Sequence, residues 1–276
     1  MILEFANELI VNQVLQNFQN IFLTYFFIFI TFFGSPIFWL FISALLFWSK
    51  KEKESFSLTS LIFFTSLIAG FFKILINRER PLGMNLIPFP DKYSFPSGHA
   101  SIIASIFSFY KKNLINNYKL IFFILVILVG ISRIYLGVHY LTDVLFGLIL
   151  GYLISKIYLK FENKIKNINF FKIKFKYEII IILVLISSVF IAFFIPLEYL
   201  VAYYIFGYYL GYTLFKYFKI KQKVNNKKVS MIFGGIILII LYLIAQNSGL
   251  IGAIVFFMMG IFVTFIWPIF INKLKI

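Results

Sequence analysis

Hydrophobic residues along the chain form long runs that are separated by short polar segments. Because a helix needs about 20 apolar residues to cross a bilayer, runs of that length predict nine membrane-spanning helices. Their approximate bounds are Phe22–Trp48, Leu58–Ile76, His99–Lys112, Leu120–Ile134, Tyr140–Tyr158, Ile179–Ile195, Leu197–Phe218, Met231–Ala245 and Leu250–Ile271. The third span is short unless Lys111 and Lys112 extend to the interface. The pattern predicts an all-α, polytopic helical membrane protein.

Residues 1–21 predict a helix of another kind. Apolar positions recur there at helical spacing opposite acidic and amide side chains, which is typical of an amphipathic helix lying on a membrane surface. The apolar set is Ile2, Phe5, Leu9, Ile10, Val14, Phe18 and Ile21, and the polar set is Glu4, Glu8, Gln13, Gln16 and Asn17. A disordered leader is the alternative. No basic region precedes the first apolar run, which argues against a cleaved signal peptide.

A lysine-rich change of composition divides the remaining chain. It separates a core of five spans at 22–160, expected to form a helix bundle, from a block of four spans at 179–276, with a basic linker at 161–178 between them. Gly207 and Gly211 of the second block have the small-xxx-small spacing that allows helices to approach closely. We expect this block to be a scaffold or a homo-oligomer contact, and a lipid-handling module is the alternative.

Composition and charge limit the class of protein. With 62% hydrophobic and 13% charged residues, the chain lies outside the range of soluble domains. The net charge of +16 does not indicate a nucleic-acid partner, because the basic residues lie between the hydrophobic runs. If every span crosses, 21 of the 26 basic residues fall on one side, and the positive-inside rule makes that side the cytoplasm. The N-terminus then lies outside, and the C-terminus lies in the cytoplasm.

Three clusters of polar residues lie near the predicted ends of spans, where charged side chains are costly. They are Lys73 with Arg80-Pro81, Pro96-Ser97-Gly98-His99, and Ser132-Arg133 with His139 and Asp143. Three cations, Lys73, Arg80 and Arg133, would bind a multiply charged anion, and guanidinium groups match phosphate oxygens. Ser97 and Gly98 would begin the third helix, where backbone N–H groups favour an anion. The clusters therefore predict a phosphate site.

The two histidines of the chain have different predicted roles at that site. His139 and Asp143 are four residues apart and would share one face of the fifth helix. The carboxylate can then fix the tautomer of the imidazole, whose other nitrogen acts as nucleophile. His99 would protonate the leaving oxygen. Each residue alone is more typical of a structural contact, but together they favour catalysis. The nearby charges are interpreted as solvated loop charges, which could lie near the substrate: Arg78, Glu79, Asp91 and Lys92.

In order and internal spacing, the three clusters resemble the signature of the type 2 phosphatidic acid phosphatase and vanadium haloperoxidase superfamily. The resemblance covers roughly Phe22 to Lys160, so the last four spans lie outside it. It implies hydrolysis without a metal or other cofactor, a phosphohistidine intermediate on His139 supported by Asp143, and His99 as the acid. It also implies phosphate binding by Lys73, Arg80, Ser97, Gly98 and Arg133.

These observations predict a lipid phosphatase of a bacterial cell (inner) membrane, with its site facing outside and with the bilayer and a phosphorylated lipid as partners. Undecaprenyl diphosphate is the first substrate hypothesis. Phosphatidic acid, phosphatidylglycerol phosphate and lipid A are the alternatives within the same chemistry. A transporter or binding protein for phosphorylated lipid is an alternative of another class, and it predicts charged or broken helices at mid-membrane. A haloperoxidase is a third alternative, which the hydrophobic composition disfavours.

Overall fold

The computed structural model describes residues 8–89, 91–166, 199–222, 226–245 and 249–274. No strand forms within these ranges, where one isolated antiparallel bridge joins Glu79 and Tyr93. The all-α prediction is therefore confirmed. The helices are α1 Glu8–Gln16, α2 Ile21–Phe32, α3 Pro36–Trp48, α4 Glu52–Ile76, α5 Gly98–Tyr110, α6 Asn116–Tyr135, α7 Leu141–Lys166, α8 Tyr199–Tyr217, α9 Lys227–Ala245, α10 Gly249–Ile261 and α11 Trp267–Leu274, with a 3-10 turn at Lys111–Asn113 and a π-helical turn at Phe262–Ile266.

Five helices in the described part of the chain are long and apolar enough to cross a membrane. They are α4, α6, Leu141–Glu162 of α7, Lys228–Ala245 of α9, and Leu250–Lys273, which runs through α10 and α11. The bent pair α2 and α3, at 49° to each other, makes a sixth if it forms one span. With 13 residues, α5 is shorter than a span requires. The predicted span Ile179–Ile195 and most of the basic linker lie outside the described residues, so the count of nine is not confirmed.

The chain divides into two compact units. The first, here called the site unit, contains Met1–Trp39 and Leu61–Glu162, and the second contains Leu40–Ser60 and Asn163–Ile276. Both α3 and α4 therefore contribute residues to each unit. The division at Glu162 lies close to the predicted core boundary, whereas Leu40–Ser60 groups with the C-terminal residues. The functional division into core, linker and block stays a prediction.

Within the site unit, α5 and α7 lie unusually close together. A Cβ atom built on Gly147 of α7 would lie 2.7 Å from the carbonyl oxygen of Ser97, and one built on Gly151 would lie 2.9 Å from the carbonyl carbon of Ser101. The two glycines have the spacing of small residues at close helix crossings, which the sequence analysis overlooked. This crossing places the N-terminal ends of both helices side by side.

The small-residue pair predicted at Gly207 and Gly211 is used inside the second unit. A Cβ on Gly207 of α8 would overlap the backbone of Phe257 in α10, and one on Gly211 would lie 3.0 Å from the Cα of Ile261. These glycines therefore allow α8 and α10 to pack backbone against backbone. Homo-oligomer formation through this block stays a prediction.

Candidate active site

The predicted site residues come from three segments of the site unit. Lys73 lies in the last turn of α4, and Arg80 follows in the connection to α5. Ser97 is the N-cap of α5, and its hydroxyl accepts from the backbone N–H of Ala100. Arg133 lies near the end of α6. Six of the predicted residues are buried: Lys73, Arg80, Ser97, Arg133, His139 and Asp143.

One carboxylate holds two of the predicted phosphate ligands. Asp91 Oδ2 lies 2.6 Å from Lys73 Nζ, and its Oδ1 lies 3.0 Å from Arg80 Nη2. Arg80 Nε also donates to the backbone oxygen of Asp91 at 2.7 Å. The interpretation of Asp91 as a solvated loop charge is therefore wrong. Glu79 and Lys92, by contrast, are exposed, in agreement with that interpretation.

The His139 ring lies between a carboxylate and a guanidinium group. Its Nδ1 is 3.5 Å from Asp143 Oδ2, and its Nε2 is 3.2 Å from Arg80 Nη1. The same Arg80 nitrogen donates to the carbonyl oxygen of Val138 at 2.6 Å. One ring nitrogen therefore faces the acidic partner while the other faces a predicted phosphate ligand.

The prediction that His139 and Asp143 lie on the same helix is wrong, because His139 precedes that helix. Helix α7 begins at Leu141, after a turn in which Gly137 has φ +68°, a conformation that favours glycine. Asp143 is the third residue of α7, and its Oδ2 accepts from the backbone N–H of Tyr140 at 2.8 Å. This is the reciprocal contact of a capping box. The Asp143 carboxylate thus caps the N-terminus of α7 and also faces the His139 imidazole.

The beginning of α5 borders open space. The backbone N–H of Ser97 donates to the carbonyl oxygen of Asp143 at 3.0 Å, which joins this end of α5 to α7. A Cβ built on Gly98 would meet no heavy atom within 4 Å. On the other side, a Cβ on Gly34 would lie 2.8 Å from the Cβ of His99, so the α2–α3 turn packs against that histidine. The N-terminus of α5 can therefore receive an anion.

Burial and neighbouring positive charges favour the neutral form of the His139 imidazole. Burial lowers the pKa of His139 well below its ordinary value of 6.5, and the positive charges of Arg80, Arg133 and Lys73 lower that pKa further, with a smaller contribution from His99. Arg133 itself donates from Nη1 to the Thr31 hydroxyl of α2 at 2.8 Å. A neutral imidazole is the form that can act as a nucleophile.

The contacts of Arg78 at this site were not predicted from the sequence. Arg78 Nη1 donates to Asp143 Oδ1 at 3.0 Å, and its Nη2 donates to Glu8 Oε2 at 2.5 Å. Its guanidinium carbon lies 4.0 Å from the centre of the Tyr140 ring. Arg78 is therefore not a solvated loop charge. Its sequence position, two residues before Arg80, gave no indication of these partners.

Helix α1 turns its polar side inward, toward the site. The Asn12 amide donates to the carbonyl oxygens of Ile134 and His139 at 2.9 and 3.1 Å, and the Gln16 amide donates to those of Met84 and Tyr135 at 2.7 and 2.9 Å. The apolar residues Leu9, Ile10 and Val14 are exposed on the other side. The amphipathic pattern was recognised from the sequence, but the protein partners of its polar face were not.

No group of three acidic, histidine or cysteine side chains that could hold a metal ion occurs in the described ranges. The basic and imidazole side chains gathered here are instead suited to bind and attack a phosphate group.

Comparison with known proteins identifies the family of the region that contains these residues. Residues 54–167 match the PAP2 superfamily. This region is a PAP2 superfamily domain. The resemblance seen in the sequence is thereby confirmed. All eight predicted site residues lie within the matched region: Lys73, Arg80, Ser97, Gly98, His99, Arg133, His139 and Asp143.

Two curated relatives and one solved structure are similar to parts of this chain. Phosphatidylglycerophosphatase B of Bacillus subtilis is 36% identical over 137 residues, which cover 46% of this chain and 66% of that protein. Lipid A 1-phosphatase of Rhizobium etli is 33% identical over 103 residues, which cover 34% of this chain and 44% of that protein. The matches thus span less than two thirds of the length of these relatives.

The solved structure is that of the first transmembrane PAP2 type phosphatidylglycerolphosphate phosphatase from Bacillus subtilis. It is 29% identical, with a TM-score of 0.50, and the similarity covers 59% of this chain and 88% of that one. The similarity in fold therefore extends over more than half of this chain.

Proposed function

We propose that the protein is an integral membrane lipid phosphatase that cleaves a phosphomonoester or pyrophosphate through a phosphohistidine on His139. The observation that carries this proposal is the placement of the His139 ring, with Nδ1 toward Asp143 and Nε2 toward Arg80. Membership of the matched region in the PAP2 superfamily and similarity to enzymes named as phosphatidylglycerophosphatase and lipid A phosphatase support it.

The first step transfers the phosphoryl group to the protein. Lys73, Arg80, Arg133 and the backbone N–H groups at the start of α5 bind the phosphate oxygens. Nε2 of the neutral His139 attacks phosphorus, and the bond between phosphorus and the lipid oxygen breaks. His99 gives a proton to that oxygen, so the lipid leaves as an alcohol or as a monophosphate. Burial and the positive charges of Arg133, Lys73 and Arg80 lower the pKa of His99 in the empty site, so this role requires the bound phosphate dianion to favour the protonated imidazole.

The second step returns the protein to its starting state. His99, now neutral, accepts a proton from water, and the resulting nucleophile attacks the phosphohistidine. The N–P bond breaks, inorganic phosphate leaves, and His99 is protonated again. Throughout, the Asp143 carboxylate stabilises the positive charge that His139 acquires when Nε2 is phosphorylated.

For the substrate, we propose phosphatidylglycerol phosphate or the phosphate of lipid A ahead of undecaprenyl diphosphate and phosphatidic acid. The names of the relatives support this order, because they refer to the first two lipids. All four substrates present a phosphate at the membrane surface, so one assay can compare them.

The assay measures phosphate release by the purified protein in detergent, with a chelator present, from each of the four lipids. We expect release from at least one lipid, and His139→Ala should abolish it. Lys92→Ala is the control, because Lys92 is exposed and is not one of the predicted site residues. Equal hydrolysis by His139→Ala would contradict the nucleophile assignment. Binding of the lipids without any release would support the alternative of a lipid-binding protein or transporter.

We further propose that the site faces the outside of a bacterial cell membrane and that the C-terminus lies in the cytoplasm. The distribution of basic residues supports this orientation. The chain contains no cysteine, so a single introduced thiol reports its own side. Lys92→Cys should react with an impermeant thiol reagent added to intact cells, whereas Lys112→Cys should react only after the cells are opened. The reverse labelling would contradict the orientation.

A further inference from the structure

The Asp143 carboxylate is fixed at both oxygens, but by different groups. Oδ2 accepts from the backbone N–H of Tyr140 and faces His139. Oδ1 accepts from Arg78 Nη1 at 3.0 Å. The Asp143 side chain is completely buried, and a buried carboxylate without a cation is costly. Arg78 is therefore the cation that lets Asp143 remain ionised next to His139.

Arg78 is in turn held from several directions. Its Nη1 also donates to the Thr142 hydroxyl at 2.7 Å, and its Nη2 donates to Glu8 Oε2. The Thr142 hydroxyl donates to the same Glu8 oxygen at 3.0 Å, which closes a ring of three contacts. The Arg78 side chain is 12% exposed and the Glu8 side chain 10%. A planar guanidinium group can make these bonds together, whereas a lysine ammonium presents its charge at one point.

The acidic member of this ring comes from a distant part of the chain. Glu8 begins α1, and one turn later Asn12 donates to the carbonyl oxygen of His139. Helix α1 therefore contacts the backbone of His139 through the Asn12 side chain, and it contacts Asp143 indirectly, through Arg78.

We propose that Arg78 is a positioning residue that orients the Asp143 carboxylate toward His139, and that Glu8 of α1 holds Arg78 in place. This inference rests on the proposed phosphatase function. The side-chain partners of Arg78 are protein groups, including Asp143 and Glu8. Unlike Lys73 and Arg80, it is not proposed to bind the phosphate. Loss of Arg78 should therefore impair the chemical step more than substrate binding.

The test compares kcat and KM of Arg78→Ala with those of the unaltered protein. Outer-shell residues that orient metal ligands typically contribute about 10- to 100-fold to activity; by analogy we expect kcat to fall by that factor while KM changes less than about threefold. Glu79→Ala is the matched control, because Glu79 is exposed on the same connection. The inhibition constant of inorganic phosphate reports whether the phosphate site of each variant is intact.

A double mutant distinguishes positioning from a general structural role. If Arg78 acts through Asp143, Arg78→Ala should slow the Asp143→Asn variant by less than about threefold, because coupled residues are not additive. The full loss in that background would overturn the proposal. Glu8→Gln should lower kcat in the unaltered protein and have little effect in Arg78→Ala.

If Arg78→Ala fails to fold, Arg78→Lys replaces it in the same comparison, and wild-type kcat for Arg78→Lys would equally overturn the proposal. Failure of the phosphatase proposal is distinguishable, because the unaltered protein would then release no phosphate.

Discussion

A methyl group at Gly147 tests whether the close crossing of α5 and α7 sets the geometry of the site. Gly147 lies one turn after Asp143 on α7. In Gly147→Ala, the new Cβ would lie 2.7 Å from the carbonyl oxygen of Ser97 and 3.2 Å from both the Cβ of Ala100 and the Oγ of Ser101. Ordinary contact begins near 3.4 Å, so the start of α5 must retreat by about 0.7 Å.

The consequences for stability and for catalysis differ in size. Overpacking costs about 1–3 kcal/mol, while alanine in place of glycine favours the helix by about 1 kcal/mol, so the net loss of stability is at most about 2 kcal/mol. Catalysis is more sensitive, because a displacement of about 1 Å can cost a factor of about 100. Ser97 also donates to the carbonyl oxygen of Asp143. We therefore expect kcat to fall about 10- to 100-fold.

The assay measures kcat for phosphate release together with the thermal unfolding midpoint in detergent. Gly235→Ala is the matched control, because the nearest atom to its new Cβ is a ring carbon of Phe41 at 3.3 Å, and a ring can turn aside more easily than backbone can move. The control should keep wild-type kcat. A Gly147→Ala protein with kcat within about threefold of wild type would refute the conclusion that this crossing positions the site.

Three further predictions concern other parts of the molecule. Because burial and neighbouring positive charges lower the pKa of His139 below 6.5, protonation of the nucleophile should reduce kcat/KM only below pH 6.5, whereas at higher pH kcat/KM should fall as His99 loses the proton that it gives to the leaving oxygen; an acid limb above pH 6.5 would contradict this. Gly98→Ala should leave the unfolding midpoint unchanged, since its Cβ meets no atom within 4 Å, but it should raise KM by occupying the anion space; an unchanged KM would argue against phosphate binding there. Gly207→Ala should lower the unfolding midpoint, because its Cβ would overlap the backbone of Phe257, at a cost of about 1–3 kcal/mol; an unchanged midpoint would show that α8 and α10 can separate freely.

The sequence was sufficient to predict the helical class, from the length of the apolar runs, and to select Arg80 and Asp143, which lie next to His139. The length of an apolar run indicates a membrane helix directly. Cationic and histidine side chains near the ends of such runs are rare, so they indicate a functional site. The prediction of one span at Phe22–Trp48 was less accurate. The apolar run is continuous there, but the helix is interrupted at Gly34 and Ser35, between α2 and α3.

The partners of the predicted residues could not be obtained in this way. Arg78 and Asp91 lie in an irregular connection, where no periodicity relates a side chain to a direction in space. Asp91 bonds residues 11 and 18 positions away, and Arg78 bonds Asp143 across 65 positions. The position of His139 before α7 was missed for a related reason, because a spacing of four also fits a turn that a carboxylate closes.

The charges of the site explain why acidic residues accompany a site for an anion. Four cationic side chains and three carboxylates lie buried or nearly buried in this region, which leaves an excess of one positive charge: Lys73, Arg78, Arg80 and Arg133 against Glu8, Asp91 and Asp143. Buried cations without counter-charges would repel one another and destabilise the fold. Asp91 removes that cost for Lys73 and Arg80, and it fixes both before any phosphate binds. A bound phosphate dianion changes the balance of these seven side chains to an excess of one negative charge, which the protonated His99 of the proposed mechanism offsets. The carboxylates therefore make the cation cluster stable in the empty protein without filling the space beside Gly98, where the phosphate is expected.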